Sequence, residues 1–176
     1  MKKIYCSDGN ILNINAMPAR SKSGVAFWGN RSQLSKQIIR EQVYDIALNN
    51  FKSGVQFDED NADWVVMPQY VLPKNWSHIA ETTPLMIVFP TDYPQIPPIG
   101  FYMKADIPDS ANGHFFTQAY HDADKTPLEA GWKWYCVFVN PGTWRPAYYR
   151  EQNSWKKGDN LWTYLTLIKE ALSSTN

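Results

Sequence analysis

Apolar residues first recur at helical spacing over residues 33–51. Leu34, Ile38, Ile39, Val43, Ile46 and Ala47 share one side, while Lys36, Arg40 and Glu41 supply the polar side. Ser32 stands where a cap would accept from the first amides, so the pattern predicts a helix near 33–51. From Gly54 the period changes. Val55-Gln56-Phe57 and Trp64-Val65-Val66-Met67 read as strands separated by the acidic turn 58–63, and 69–72 stays extended after Pro68. The apolar run 84–90 is short and bounded by prolines, which predicts a buried strand rather than a helix. A rigid proline turn, 91–98, then leads into a strand at 99–103. Short turns between strands imply antiparallel pairing. A long irregular stretch, 104–130, carries His114 and His121, and loops of that length are usually functional or disordered. An extended half-apolar run, 132–139, follows, closed by a second turn at 140–146. Leu161, Leu165, Ile168 and Leu172 predict a last helix near 160–172, capped by Asp159 or Asn160 just after the breaker Gly158. The order predicts an α+β domain, an antiparallel four-stranded meander between an N-terminal and a C-terminal helix. Residues 1–31 hold a turn cluster at 7–10, a strand candidate at 11–14 and a polar loop. They read as an N-terminal extension to a domain spanning 32–176.

Composition narrows the function classes. The 176 residues suit one domain with a sizeable core. Seventeen basic against seventeen acidic residues give no electrostatic support for a nucleic-acid or membrane-surface partner. No run has the length of a membrane span, and the first residues lack the apolar stretch of a signal peptide, so a cytoplasmic protein is expected. Cys6 and Cys136 make no disulfide framework, and with three histidines they make a poor zinc site. Gly24 and Gly29 sit at phosphate-loop spacing, but Asn30-Arg31 follows where Lys and Ser/Thr are needed. The unusual feature is aromatic content, eight Trp, ten Tyr and eight Phe beside twelve Pro. Exposed Trp can stack on sugars or bases, but most of these belong to the core or a partner surface.

The residues of the proline turn carry a resemblance. Phe89-Pro90-Thr91-Asp92-Tyr93-Pro94-Gln95-Ile96-Pro97-Pro98, followed by hydrophobic and aromatic positions, resembles the F-P-x-x-Y-P-x-x-P-P signature of ubiquitin-conjugating enzymes. Tyr135-Cys136-Val137-Phe138 stands where that family has its catalytic cysteine, and Trp144-Arg145-Pro146-Ala147 is similar to its downstream tryptophan–proline motif. The resemblance covers roughly residues 32–172. Asp63-Trp64-Val65-Val66, Gly131-Trp132-Lys133-Trp134 and the Trp-bearing last helix look most like the prokaryotic conjugating-enzyme-like branch. Members of that branch are typically encoded beside activating-enzyme-like, ubiquitin-like or deubiquitinase-like proteins, often in antiphage defence operons. Two departures stand out. The His-Pro-Asn triplet that precedes the cysteine in eukaryotic members is absent, its nearest echo being Tyr120-His121-Asp122. The family's last two helices are missing as well.

The resemblance implies that Cys136 carries a ubiquitin-like protein as a thioester, received from a ubiquitin-activating-like enzyme. It would pass that protein to an amine on a target, such as a phage component or a nucleotide synthase, with no cofactor or metal of its own. Such chemistry needs a thiolate that exchanges acyl groups and leaves again. Taken alone, Cys136 reads as a small buried apolar residue, since cysteines are often buried; the proline signature and the tryptophan–proline motif turn the reading toward function. Cys6 has no motif around it. His121 and His114 are candidates to support a tetrahedral oxyanion or orient the amine, with Asp122 and Asp124 as possible electrostatic helpers; each also reads as part of a solvated loop. Tyr93, Pro94, Pro97, Pro98, Trp144 and Pro146 would shape the surface where partners dock, or serve architecture alone. A second reading stays open, a non-catalytic module of the same fold that binds a ubiquitin-like or operon partner.

Overall fold

The computed structural model describes residues 3–5, 11–13, 31–51, 54–104, 120–121, 132–137, 139–140, 142–148 and 151–174. Two short strands, β1 (Lys3–Tyr5) and β2 (Ile11–Asn13), pair antiparallel in a sheet of their own. Helix α1 (Gln33–Asn49) follows. The main sheet contains β3 (Gln56–Phe57), β4 (Trp64–Val71), β5 (Thr82–Val88), β6 (Gly100–Met103), β7 (Tyr120–His121) and β8 (Lys133–Cys136). Helix α2 (Leu161–Ser173) closes the domain.

The expected meander is present as β3-β4-β5-β6, neighbours in sequence order, and β8 then β7 extend it to six antiparallel strands. Residues 69–71 belong to the same strand as Trp64–Met67. The β4–β5 register shifts between Met67 and Tyr70, at Pro68, which has no amide to give to a ladder. The 104–130 stretch is not wholly irregular, because β7 lies within it.

Alternation along the strands sorts side chains into two layers. Val65, Met67, Leu85, Ile87, Phe101, Met103 and Tyr135 join Ile39, Val43 and Ile46 of α1 and Leu161, Ile168 and Leu172 of α2 in the main core. Val66, Met86, Tyr102, Trp132 and Trp134 form a second buried cluster on the other face. Fully burying one such side chain is worth about 1.5–3 kcal/mol.

The helix ends follow their caps. Ser32 Oγ accepts from Ser35 N at 3.1 Å, and Asn160 accepts from Trp162 N at 2.9 Å within a capping box completed by Thr163. At the far end of α2, Trp76 Nε1 (2.7 Å) and Asn75 Nδ2 (3.0 Å) both donate to the Leu172 carbonyl. Much of the tryptophan content is thereby explained. Trp155 Nε1 donates to Glu41 (3.1 Å) and Trp162 Nε1 to Asp45 (2.8 Å), tying the C-terminal segment to the polar face of α1. Lys156 adds an ion pair to Asp45 at 2.7 Å.

Candidate active site

The proline turn is held from inside. Arg31, 6% exposed, donates through Nη2 to the Phe89 carbonyl (2.9 Å) and through Nη1 to the Pro90 carbonyl (2.6 Å). Asp63 Oδ1 lies 3.6 Å from the same guanidinium, and Phe89 N donates to the Asp63 carbonyl at 2.9 Å. Burial pulls the Arg31 pKa down, with Asp63 opposing the shift. The Tyr93–Pro94 peptide is cis. Tyr93 is buried, its hydroxyl donates to Gln42 Oε1, and its carbonyl accepts from Ser35 Oγ. Gln42 Oε1 accepts a second bond from Leu161 N at 2.9 Å. One buried amide therefore joins α1, the turn and the start of α2. Burial drives the Tyr93 phenol far above its ordinary pKa, despite the Gln42 bond and the Arg31 charge.

The second turn is fastened to the first. Trp144, 4% exposed, donates through Nε1 to the Pro94 carbonyl at 2.7 Å. Its chain is clasped from behind: Arg145 N donates to Asp159 Oδ2 at 2.6 Å, and Asp159 N to the Arg145 carbonyl at 2.8 Å. The approach requires glycine at 158, where a Cβ would lie 2.2 Å from Ala147 N and 2.6 Å from the Arg145 carbonyl oxygen. Tyr93, Pro94, Pro97, Pro98 and Trp144 are thus interior, and Pro146 is half-buried. What they leave in solvent is Gln95, Ile96, Ile99, Arg145 and Tyr148, the last 82% exposed. An open groove of about 600 Å³ runs between this surface and the start of α1, lined by Leu34, Ile38, Asp92, Ile96 and Tyr148 among others.

Cys136 is the last residue of β8 and pairs with Gly100, the first of β6. It is half-buried, and its Sγ donates to the Ile99 carbonyl at 3.4 Å. The sulfur thus adjoins the end of the proline turn. On the core side lies Tyr164 of α2, fully buried, whose hydroxyl is 3.4 Å from the Val137 carbonyl. Burial raises the Tyr164 pKa well above the ordinary value, and the charge of Cys136 adds to the effect.

His121 belongs to β7, where its backbone pairs in register with Trp134, two residues before Cys136. His114, Asp122, Asp124, Cys6, Gly24 and Gly29 lie outside the described residues. Sequence reasoning missed Arg31, Ser35, Gln42 and Tyr164. Ser35 and Gln42 did leave a signal, as polar residues inside the apolar stripe of α1. Among the described residues, no three or more His, Cys, Asp or Glu side chains are grouped to hold a metal ion, and no helix is long and apolar enough to cross a membrane.

An antiparallel sheet backed by helices on one face, with a proline turn and a tryptophan turn beside a strand-end cysteine, defines a ubiquitin-conjugating-enzyme-like fold. The family model described as Prokaryotic E2 family E matches residues 48–175, from the end of α1 through α2, and the chain belongs to this family. No curated protein and no solved structure matches the chain significantly. Membership points to a conjugating-enzyme-like, transferase-type role, with activating-enzyme-like and ubiquitin-like proteins as partners in general terms.

Proposed function

We propose that Cys136 carries a ubiquitin-like protein as a thioester and hands it to an amine. In the first transfer the Cys136 thiolate displaces the thiolate of an activating enzyme from the carboxyl carbon. In the second an amine attacks that carbon, the C–S bond breaks, and the Cys136 thiolate leaves with its electron pair while the amine proton passes to solvent. The observation that carries the reading is the position of Cys136, half-exposed at the end of a strand and adjoining the proline turn. His121, with His114, is our candidate to assist the attacking amine. The activating enzyme would dock on the groove beside α1, against exposed Leu34, Ile96 and Tyr148. Tyr93, Pro94, Pro97, Pro98, Trp144 and Pro146 serve that surface by holding its two turns in place. The segment expected as an extension, residues 1–31, ends at Arg31, which itself packs into the domain. The setting is a cytoplasmic antiphage defence operon, with a phage component or a nucleotide synthase as target.

The test is adduct formation with the cognate activating enzyme, ubiquitin-like protein and ATP. The wild-type adduct is cleaved by thiols, Cys136→Ser gives a slower, thiol-resistant ester because an alkoxide leaves less readily, and Cys136→Ala gives none. Cys6→Ala keeps the adduct. An adduct that survives Cys136→Ala sinks the proposal, and no adduct on the wild type leaves a non-catalytic binding module.

A further inference from the structure

The place across the sheet from Cys136 is filled by a tryptophan from its own strand. Gly100 and Cys136 are directly opposite in the β6–β8 pair, so their side-chain directions share one face. Trp134, two residues before Cys136, projects to the same face. Its in-register partner is Tyr102, yet the indole leans along the sheet onto Gly100. A Cβ added at Gly100 would lie 2.5 Å from Trp134 Cε2 and 2.6 Å from both Cζ2 and Nε1. The nitrogen-bearing edge of the ring therefore fills the space a side chain at 100 would take. Directly opposite residues have Cβ atoms about 4.5–5.5 Å apart, so that edge stands where the cross-strand partner of Cys136 would be. Trp134 is 5% exposed and packed with Trp132, Tyr102 and Met86, whereas Cys136 beside it is half-exposed.

We propose that Trp134, seated on Gly100, is a positioning residue for Cys136: a fixed apolar wall that holds the sulfur at the strand end and screens one side of it from water. The part concerning a thioester rests on the function proposed above. Hydrolysis of a thioester needs water to add to the carbonyl carbon before the C–S bond breaks and the thiolate leaves. A ring covering one flank of the sulfur narrows that approach. Glycine at 100 is what allows the ring to sit there, because the atoms a Cβ would strike belong to a large buried side chain with little room to yield.

The experiment uses the full chain with Cys6→Ala, so that iodoacetamide reports on Cys136 alone. Alkylation rate against pH and the urea midpoint are measured for Gly100→Ala, Gly100→Ala with Trp134→Phe, and Trp134→Ala. Gly100→Ala displaces the ring and raises the alkylation rate by about fivefold or more, as access to the thiolate opens. Adding Trp134→Phe, whose smaller ring leaves room for the new methyl, returns the rate toward wild type. Trp134→Ala removes the wall without adding an atom and raises the rate even if Gly100→Ala fails to fold. A fall in urea midpoint with an unchanged alkylation rate would reduce the contact to packing and overturn the proposal, as would a double variant no slower than Gly100→Ala. Alkylation needs neither an activating enzyme nor a ubiquitin-like protein, so failure here is distinct from failure of the adduct assay.

Discussion

Replacing Arg31 by methionine removes a cation that reaches from the residue before α1's cap into the proline turn. Its guanidinium gives hydrogen bonds of 2.9 Å to Phe89 O and 2.6 Å to Pro90 O, with Asp63 at 3.6 Å, and the side chains of the pair are 2% and 4% exposed. Methionine restores much of the packing volume but none of the donors. It takes the guanidinium away from the buried Asp63 carboxylate and leaves two turn carbonyls short of a bond. Breaking a buried pair from one side costs about 3–5 kcal/mol, and the regained apolar packing should hold the loss near the lower end, about 3 kcal/mol. That is a large part of the 5–15 kcal/mol typical of a domain. Urea titration measures it directly. Hydrogen exchange at Tyr93 N, which donates to the Pro90 carbonyl at 3.0 Å, should quicken in step. Removing both charges, Arg31→Met with Asp63→Leu, should recover most of the loss. A single variant within about 0.5 kcal/mol of wild type, or a double variant no better than the single, would refute the argument.

Two further outcomes are expected. Gly158→Ala drives a methyl group into the backbone at 145–147 and should cost about 1–3 kcal/mol by overpacking; an unchanged urea midpoint would show that the clasp yields freely. Buried Tyr93 and Tyr164 have raised pKa values, and burial pushes Tyr70 and Tyr102 up to about 12. Unfolded phenols ionise first, so the stability these groups confer is complete below about pH 10 and is lost above it, by about 1.4 kcal/mol per pH unit for each group still protonated when folded. A urea midpoint that stays flat from about pH 10 to 11.5 would contradict this, and Tyr93→Phe should make the decline shallower.

Both helices could be read from the sequence because their caps and apolar stripes are local. Ser32 and Asn160 bond within three residues of themselves, and the interior positions recur every third or fourth residue. The strands of the meander were equally plain. β7 was not, since two residues have no period to detect and Tyr120 and His121 are ordered by pairing with β8. Long-range polar ties escaped for a similar reason. Gln42 could be noticed as a polar residue in an apolar stripe, but its partners Tyr93 and Leu161 are 51 and 119 positions away. Glu41 fell on the polar side of α1 by its spacing, whereas it and Asp45 receive the indole N–H groups of Trp155 and Trp162. Arg31 drew notice only as a residue that breaks a phosphate-loop spacing, and nothing local linked it to a turn almost sixty positions further on.

The proline motif and the cysteine are physically one feature rather than two. β6 begins at Gly100 and β8 ends at Cys136, so their pair is the last of that ladder. Pro97 and Pro98 come just before, and neither has an amide to offer a neighbouring strand. The ladder cannot be extended with a full set of bonds toward them, and Val137, the next residue, lies outside the strand. The Ile99 carbonyl, left outside the strand, accepts from Cys136 Sγ instead. The turn that carries these prolines is anchored by Trp144 through the Pro94 carbonyl, which brings the second turn to the same side. Missing amide donors thus set both where the turn surface lies and where strand pairing stops. The half-exposed position of Cys136 follows from that stop, whereas Trp134, the next residue of β8 on the same face and opposite Tyr102, is buried.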